Sequence, residues 1–85
     1  MKLLKFYSPS CAPCRVLAPM VDRAAVELQL GVEGIDVTQE PELAVQFDVR
    51  AVPTLVLVGD DSDYITSKVG IMTESSLFEW LEEYL

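Results

Sequence analysis

The N-terminal part of the chain changes from a strand pattern to a helix pattern and back, and this order restricts the fold more than any other feature. Lys2–Tyr7 predicts a strand, and Val32–Val37 predicts a second one. Between them, from about Ala12 to Leu30, apolar residues recur at helical spacing, namely Leu17, Met20 or Val21, Ala24 and Leu28. Two strands joined through a helix are expected to lie parallel, with a right-handed crossover.

Glycine and proline mark the limits of the next elements. Gly31 is the expected stop of the long helix. Pro41 begins a short helix that reaches about Phe47 and is expected to be capped by Thr38 or Gln39.

The C-terminal part predicts a hairpin followed by a helix. Thr54–Val58 is an unbroken run of β-branched residues and leucine, typical of a strand buried on both faces, and a turn at Gly59–Asp63 leads into its partner strand Tyr64–Val69. Thr73 is the expected cap of the last helix, whose inward residues are Leu77, Phe78, Leu81 and Tyr84 or Leu85. The order β-α-β-α-β-β-α predicts an α/β fold, a four-stranded mixed sheet flanked by helices.

Length and charge restrict the class of protein. The 85 residues are expected to form a single domain, residues 1–85. A net charge of −8 argues against binding to nucleic acid or to anionic membranes. Since there is no signal-peptide pattern and no apolar run of about 20 residues, we expect a cytoplasmic protein. Stable structural disulfides are rare in that compartment, so the two cysteines point to chemistry.

The two cysteines lie three positions apart at the start of the predicted long helix. Cys11 is placed at the helix N-terminus, where unpaired backbone N–H groups and the helix dipole favour a thiolate. Pro13 suits an early helical position, and Cys14 points inward within disulfide reach of Cys11. One accessible nucleophile and one shielded thiol are what two-step disulfide exchange requires.

A Cys-x-x-Cys pair also occurs in zinc sites, but a structural zinc site takes about four ligands. The chain has no histidine and no further cysteine, so a metal would need carboxylates or a second chain. We therefore favour redox chemistry, with no metal and no bound cofactor apart from the redox-active disulfide of Cys11 and Cys14.

A second motif, Val52-Pro53-Thr54, stands at the start of the buried strand. A proline can open a strand without a cis bond, and only about 5–6% of X–Pro bonds in folded proteins are cis. Taken alone, this base rate favours a trans bond before Pro53.

Taken jointly, the motifs resemble those of thioredoxins in order and spacing over nearly the whole chain; they are Phe6-Tyr7, Cys11-Ala12-Pro13-Cys14, Pro19, Val49–Leu55 and Lys68-Val69-Gly70. The chain is also similar to short thioredoxin-like or glutaredoxin-like proteins that lack the usual first strand and helix. The resemblance implies a cis bond before Pro53, which then packs against the cysteine pair. It also implies that an extended substrate peptide binds at Val52, Thr54, Gly70 and Ile71.

Two residues depart from the family pattern near the cysteines. Ala12 replaces the usual glycine between them, which should change the reduction potential modestly. Lys5 stands where thioredoxins usually carry a buried aspartate beneath the inner cysteine. A lysine is seldom buried without a partner, so Lys5 either reaches the sheet edge, pairs with Glu33 or Asp36, or lies near Cys14 and favours its thiolate.

Three functions follow. The first is a monomeric thioredoxin that reduces disulfide-containing proteins and is itself reduced by a thioredoxin reductase. The second is a glutathione-dependent glutaredoxin. Glutaredoxins tend to carry an aromatic residue inside the Cys-x-x-Cys loop, where this chain has Ala12. They also tend to carry a Gly-Gly pair after the strand that follows the cis proline, and the segment from Tyr64 to Met72 has none. The third is a docking or metal-bridging module without catalysis, which the fold alone leaves open.

Overall fold

The computed structural model describes residues 1–85. Strands and helices follow one another in the predicted order: β1 (Lys2–Tyr7), α1 (Ala12–Leu28), β2 (Gly31–Asp36), α2 (Pro41–Gln46), β3 (Thr54–Val58), β4 (Tyr64–Val69) and α3 (Glu74–Glu82). None of the helices is both long and apolar enough to cross a membrane.

The four strands form one mixed sheet in the order β2-β1-β3-β4. β1 and β2 are parallel, as the intervening helix predicts, whereas β1–β3 and β3–β4 are antiparallel. The strand most covered by neighbours is β3, all of whose five residues are buried. A mixed sheet flanked by helices is therefore confirmed.

The two faces of the sheet carry separate cores. Helices α1 and α3 cover one face, where α1 contributes Leu17, Val21 and Ala24 and α3 contributes Leu77, Trp80 and Leu81. The smaller core on the other face contains Phe6 and Ile35, against which Leu43 of α2 and Phe47 pack. Because side chains alternate along a strand, Leu3, Lys5 and Tyr7 of β1 face α1. This alternation decides which β1 side chains can approach the cysteines.

Helix α1 ends earlier than predicted. It stops at Leu28, and Gln29 rather than Gly31 adopts the left-handed conformation, with φ 57°. Gly31 instead pairs with Lys2 as the first residue of β2. The prediction was wrong because the glycine was assigned to the helix end, whereas sheet pairing required it as strand.

Two predictions about helix ends also fail. Thr38 does not cap α2, because its N–H and hydroxyl both donate to the Asp36 carboxylate; Gln39 does not cap it either, since the N-cap is Glu40, which makes no side-chain capping bond. At the C-terminus, Tyr84 and Leu85 are exposed, since α3 ends at Glu82 and the chain leaves the core. The cap of α3 is as predicted: the Thr73 hydroxyl accepts from the Ser76 N–H at 3.1 Å.

An ion pair ties α1 to α3 at the surface. The Arg23 guanidinium donates two hydrogen bonds to the Glu74 carboxylate, at 2.7 and 3.0 Å. These hydrogen bonds lower the pKa of Glu74 below its ordinary value. A carboxyl whose pKa is lower in the folded state adds stability above its unfolded pKa and loses it as the pH falls through the folded pKa.

We expect Glu74→Gln to lower the melting temperature at neutral pH, because it removes a charged partner of Arg23. The difference from the parent should shrink as the pH falls through the folded pKa of Glu74 and vanish once that carboxyl is protonated, because Glu74 and the glutamine that replaces it are then both uncharged. Thermal unfolding followed by circular dichroism at several pH values measures it, with Glu79→Gln on the same helix as the control. A difference that persists unchanged in acid would contradict the ionic explanation.

Candidate active site

Three chain segments meet at one edge of the sheet. β1 ends there at Tyr7, β3 begins there at Thr54, and β4 ends there at Val69; Phe6 pairs with Thr54, and Thr54 pairs with Val69. The loop that carries Cys11 leaves β1 at this edge. The strand register therefore brings the cysteine loop, the proline loop and the end of β4 to the same region.

The cysteine loop is held by local hydrogen bonds at the start of α1. The Cys11 N–H donates to the Ser8 carbonyl at 3.2 Å, and the Arg15 N–H donates to the Cys11 carbonyl at 3.3 Å. Cys11 is the N-cap residue, and its Sγ accepts a hydrogen bond from the Cys14 N–H at 3.2 Å. A sulfur at this position thus already receives one of the helix's unpaired amide donors.

Cys11 and Cys14 form a disulfide, with Cα atoms 5.3 Å apart. Cys14 is 5% exposed, whereas Cys11 is only partly buried. Ala12 and Pro13, between them, are exposed. The structure therefore gives one sulfur that a partner can reach and one that is shielded.

The peptide bond between Val52 and Pro53 is cis, and Pro53 is buried. Its carbonyl accepts a hydrogen bond from the Gly70 N–H at 2.8 Å, which links the proline loop to the end of β4. Gly70 has φ 91°, in the region that favours glycine. On the other side, the buried Thr54 donates its hydroxyl proton to the Ala51 carbonyl at 2.6 Å. Both bonds fix the path of the chain through Pro53.

Val52 and Ile71 flank these bonds and keep their own backbone groups unused. Neither the N–H nor the C=O of either residue takes part in a hydrogen bond within the chain. The Ile71 side chain is 55% exposed. This edge offers free backbone donors and acceptors next to apolar surface.

A pocket of about 330 Å³ lies beside Cys14. It is lined by side chains from β1, the cysteine loop and the first turns of α1: Lys5, Tyr7, Ser8, Pro9, Cys14, Arg15 and Ala18. Lys5 therefore shares a pocket with the shielded cysteine. Neither predicted carboxylate partner engages it, since Glu33 binds Lys2 and Asp36 accepts from Thr38.

Comparison with known proteins identifies the family to which the chain belongs. The profile of the thioredoxin family matches residues 1–83. The chain belongs to the thioredoxin family. It is 34% identical over 83 residues to a prophage-derived thioredoxin-like protein of Bacillus subtilis, a match that covers 98% of each chain.

Longer thioredoxins are also similar. The chain is 32% identical to thioredoxin 1 of Synechococcus elongatus, covering 98% of this chain and 78% of that one. A thioredoxin variant from Halobacterium salinarum superimposes with a TM-score of 0.88 at 38% identity, covering 96% of this chain and 72% of that one. Family membership and the Cys11–Cys14 disulfide together are consistent with a thiol–disulfide oxidoreductase.

Sequence reasoning missed several parts of this thioredoxin site. It did not identify Ser8, Pro9 and Ala18 as pocket residues, or the Ala51 carbonyl as the acceptor for Thr54. Helical spacing carried a signal for Ala18, four residues after Cys14 and hence on the same face. No sequence signal identifies a backbone carbonyl as an acceptor.

We expect Thr54→Val to lower the free energy of unfolding by about 1 kcal/mol, because it removes the bond to Ala51 while keeping the side-chain shape. Thr54→Ser retains the hydroxyl and is the matched control. Urea unfolding of both variants measures the effect. A loss in Thr54→Ser with none in Thr54→Val would assign the contribution to the methyl group instead.

Proposed function

We propose that this thioredoxin reduces disulfide bonds in other proteins by dithiol exchange through Cys11 and Cys14. The observation that carries the proposal is the disulfide at the start of α1, with Cys11 partly accessible and Cys14 buried. A structural disulfide between residues three apart would stabilise the fold little, because it closes a very short loop.

The reaction begins with the reduced protein. The Cys11 thiolate attacks a substrate disulfide, forming a mixed disulfide and releasing one substrate thiolate. Cys14, as a thiolate, then attacks the Cys11 sulfur, which restores the Cys11–Cys14 bond and releases the second substrate thiolate. Two electrons pass to the substrate, and the protons of the two protein thiols end on the substrate thiols or in solvent.

The position of Cys11 supports its role as the attacking group. Its sulfur accepts from the Cys14 N–H, and the helix dipole favours negative charge at the same point. Both effects lower the pKa of an N-terminal thiol below that of free cysteine. No acidic residue lies in the first turn of α1 to oppose them.

The free backbone groups of Val52 and Ile71 support peptide binding at the same edge. An extended substrate segment can add to them with strand-like hydrogen bonds, while the Gly70 and Thr54 bonds hold the proline loop in place. Ala12 and Pro13 provide exposed, uncharged surface beside the reacting sulfur.

We further propose a monomeric protein of the cytoplasm that needs no bound cofactor beyond its disulfide. A thioredoxin reductase-type enzyme would supply its electrons. These proposals rest on family membership.

We expect the protein to accelerate insulin reduction by dithiothreitol, followed as turbidity. Cys11→Ser should abolish the acceleration, because the first attack is lost. Cys14→Ser should retain attack but accumulate a mixed disulfide with the substrate, visible on a non-reducing gel.

Two results would change the assignment. Activity only with glutathione and glutathione reductase would favour a glutaredoxin. Inactivity with both donors, in a folded protein, would favour a binding module and contradict the proposal.

We expect Ile71→Asp to raise the KM for insulin about tenfold, because about 1.4 kcal/mol of apolar contact with the substrate chain would be lost. Reduction of a small aromatic disulfide, which makes no peptide contacts, should be unchanged. Val45→Asp is the control, since Val45 is 81% exposed on α2, outside the site. An equal rise in both variants would indicate general charge repulsion rather than a binding surface.

A further inference from the structure

The positive charges of this acidic protein are unevenly distributed. Of the six basic residues, three are neutralised by surface ion pairs: Lys2 with Glu33, Arg23 with Glu74 and Arg50 with Asp48. The other three are Lys5, Arg15 and Lys68. Two of these, Lys5 and Arg15, line the pocket beside Cys14, and no carboxylate lines it.

The fold places Lys5 under the first turn of α1. Its side chain leaves β1 on the face that α1 covers. The neighbouring β2 residue on that face is Gly34, and a Cβ there would lie 3.9 Å from Lys5 Cε and 3.3 Å from Tyr7 Cε1. The missing side chain leaves room for Lys5 and Tyr7 beside the pocket. Lys5 forms none of the structure's ion pairs or side-chain hydrogen bonds.

The remaining charged groups on this face do not neutralise Lys5. Asp36, two residues beyond Gly34 on the same face of β2, accepts from the Thr38 N–H and hydroxyl. Lys68 lies in the same row of the sheet, separated from Lys5 by Leu55. The Arg15 guanidinium donates to the Pro9 carbonyl at 3.1 Å, at the pocket rim. The Tyr7 phenol is the remaining ionisable group that lines the pocket.

Burial alone disfavours the thiolate of Cys14, which the second step of the proposed reaction requires. A positive charge in the same pocket acts in the opposite direction. We infer that Lys5 is a positioning residue for the resolving step, whose ammonium group stabilises the Cys14 thiolate across this pocket. The inference rests on the proposed function, since it concerns the same dithiol.

Stabilising the thiolate has two consequences. The reduced form gains stability wherever Cys14 is ionised, so the couple becomes more oxidising at alkaline pH and is unaffected in acid. In the resolving step, the attacking sulfur is ionised more often at neutral pH. The proton lost from Cys14 leaves through the pocket, which is lined by exposed Pro9 and Arg15.

The direct test measures the Cys14 pKa in a Cys11→Ser background, so that one thiol titrates alone. The pH dependence of alkylation by iodoacetamide reports the thiolate and is insensitive to tyrosine. We expect Lys5→Met to raise the Cys14 pKa by about one unit and Lys5→Arg to restore most of the difference. Lys2→Met, on the same strand but on the opposite face, should have no effect.

A second measurement separates charge from a structural change. The redox equilibrium of Cys11–Cys14 is measured against a reference dithiol from about pH 6 to about pH 10. Lys5→Met should leave it unchanged at the acidic end and shift it about tenfold toward the disulfide at the alkaline end, a potential lower by about 30 mV. A structural effect would shift the equilibrium at every pH.

In the Cys14-dependent step, the mixed disulfide should resolve about threefold more slowly in Lys5→Met near neutral pH, because a tenfold smaller thiolate fraction is partly offset by higher nucleophilicity. An unchanged Cys14 pKa in Lys5→Met would overturn the inference even if wild-type protein reduces insulin. If Lys5→Met raises the Cys14 pKa but the wild-type protein fails to reduce insulin, the proposed function is overturned and the effect of Lys5 on the Cys14 thiolate stands.

Discussion

Helix α1 packs on the sheet through Leu17, Val21 and Ala24, all fully buried, and the position of the cysteine pair depends on this contact. Burying a leucine or valine side chain contributes about 1.5–3 kcal/mol. The same contact fixes the start of the helix above the edge where β1 ends. Cys14, three residues before Leu17, is thereby buried, while Cys11 stays at the helix tip with access to solvent. The asymmetry that dithiol exchange requires follows from hydrophobic packing.

A second set of contacts holds the surface around the cysteines. Hydrogen bonds from Thr54 to Ala51 and from Gly70 to Pro53 join two loops at the edge of the sheet and leave the backbone of Val52 and Ile71 unpaired. The distribution of charge also distinguishes the surroundings of the cysteines from the rest of the protein. In a chain of net charge −8, unpaired cations occupy the pocket beside the buried sulfur. Electrostatics near Cys14 therefore differs in sign from that of the protein as a whole.

The order of elements and the buried strand β3 could be predicted because their signals are local. Thr54–Val58 is an unbroken run of β-branched residues and leucine, and its limits in the structure are the predicted ones. Helix ends were predicted less well, because several partners can compete for the same backbone or side-chain groups there. Threonine is a residue type that commonly caps helices, but both the N–H and the hydroxyl of Thr38 donate to the Asp36 carboxylate. Glycine commonly ends helices, but Gly31 pairs with Lys2 of β1 as part of β2. In both cases the residue bonds to a partner other than the helix end that its residue type predicts.

The sequence by itself determined that two cysteines three residues apart begin a helix between parallel strands, because periodicity and spacing are properties of neighbouring residues. It left the environment of Lys5 undecided among the sheet edge, a carboxylate partner and Cys14. Only the tertiary structure decided it, by setting Lys5 beside Cys14 in one pocket and giving Glu33 to Lys2. The reason is physical: strand register and helix packing choose which side chains meet, and neither is encoded within the few residues around a lysine.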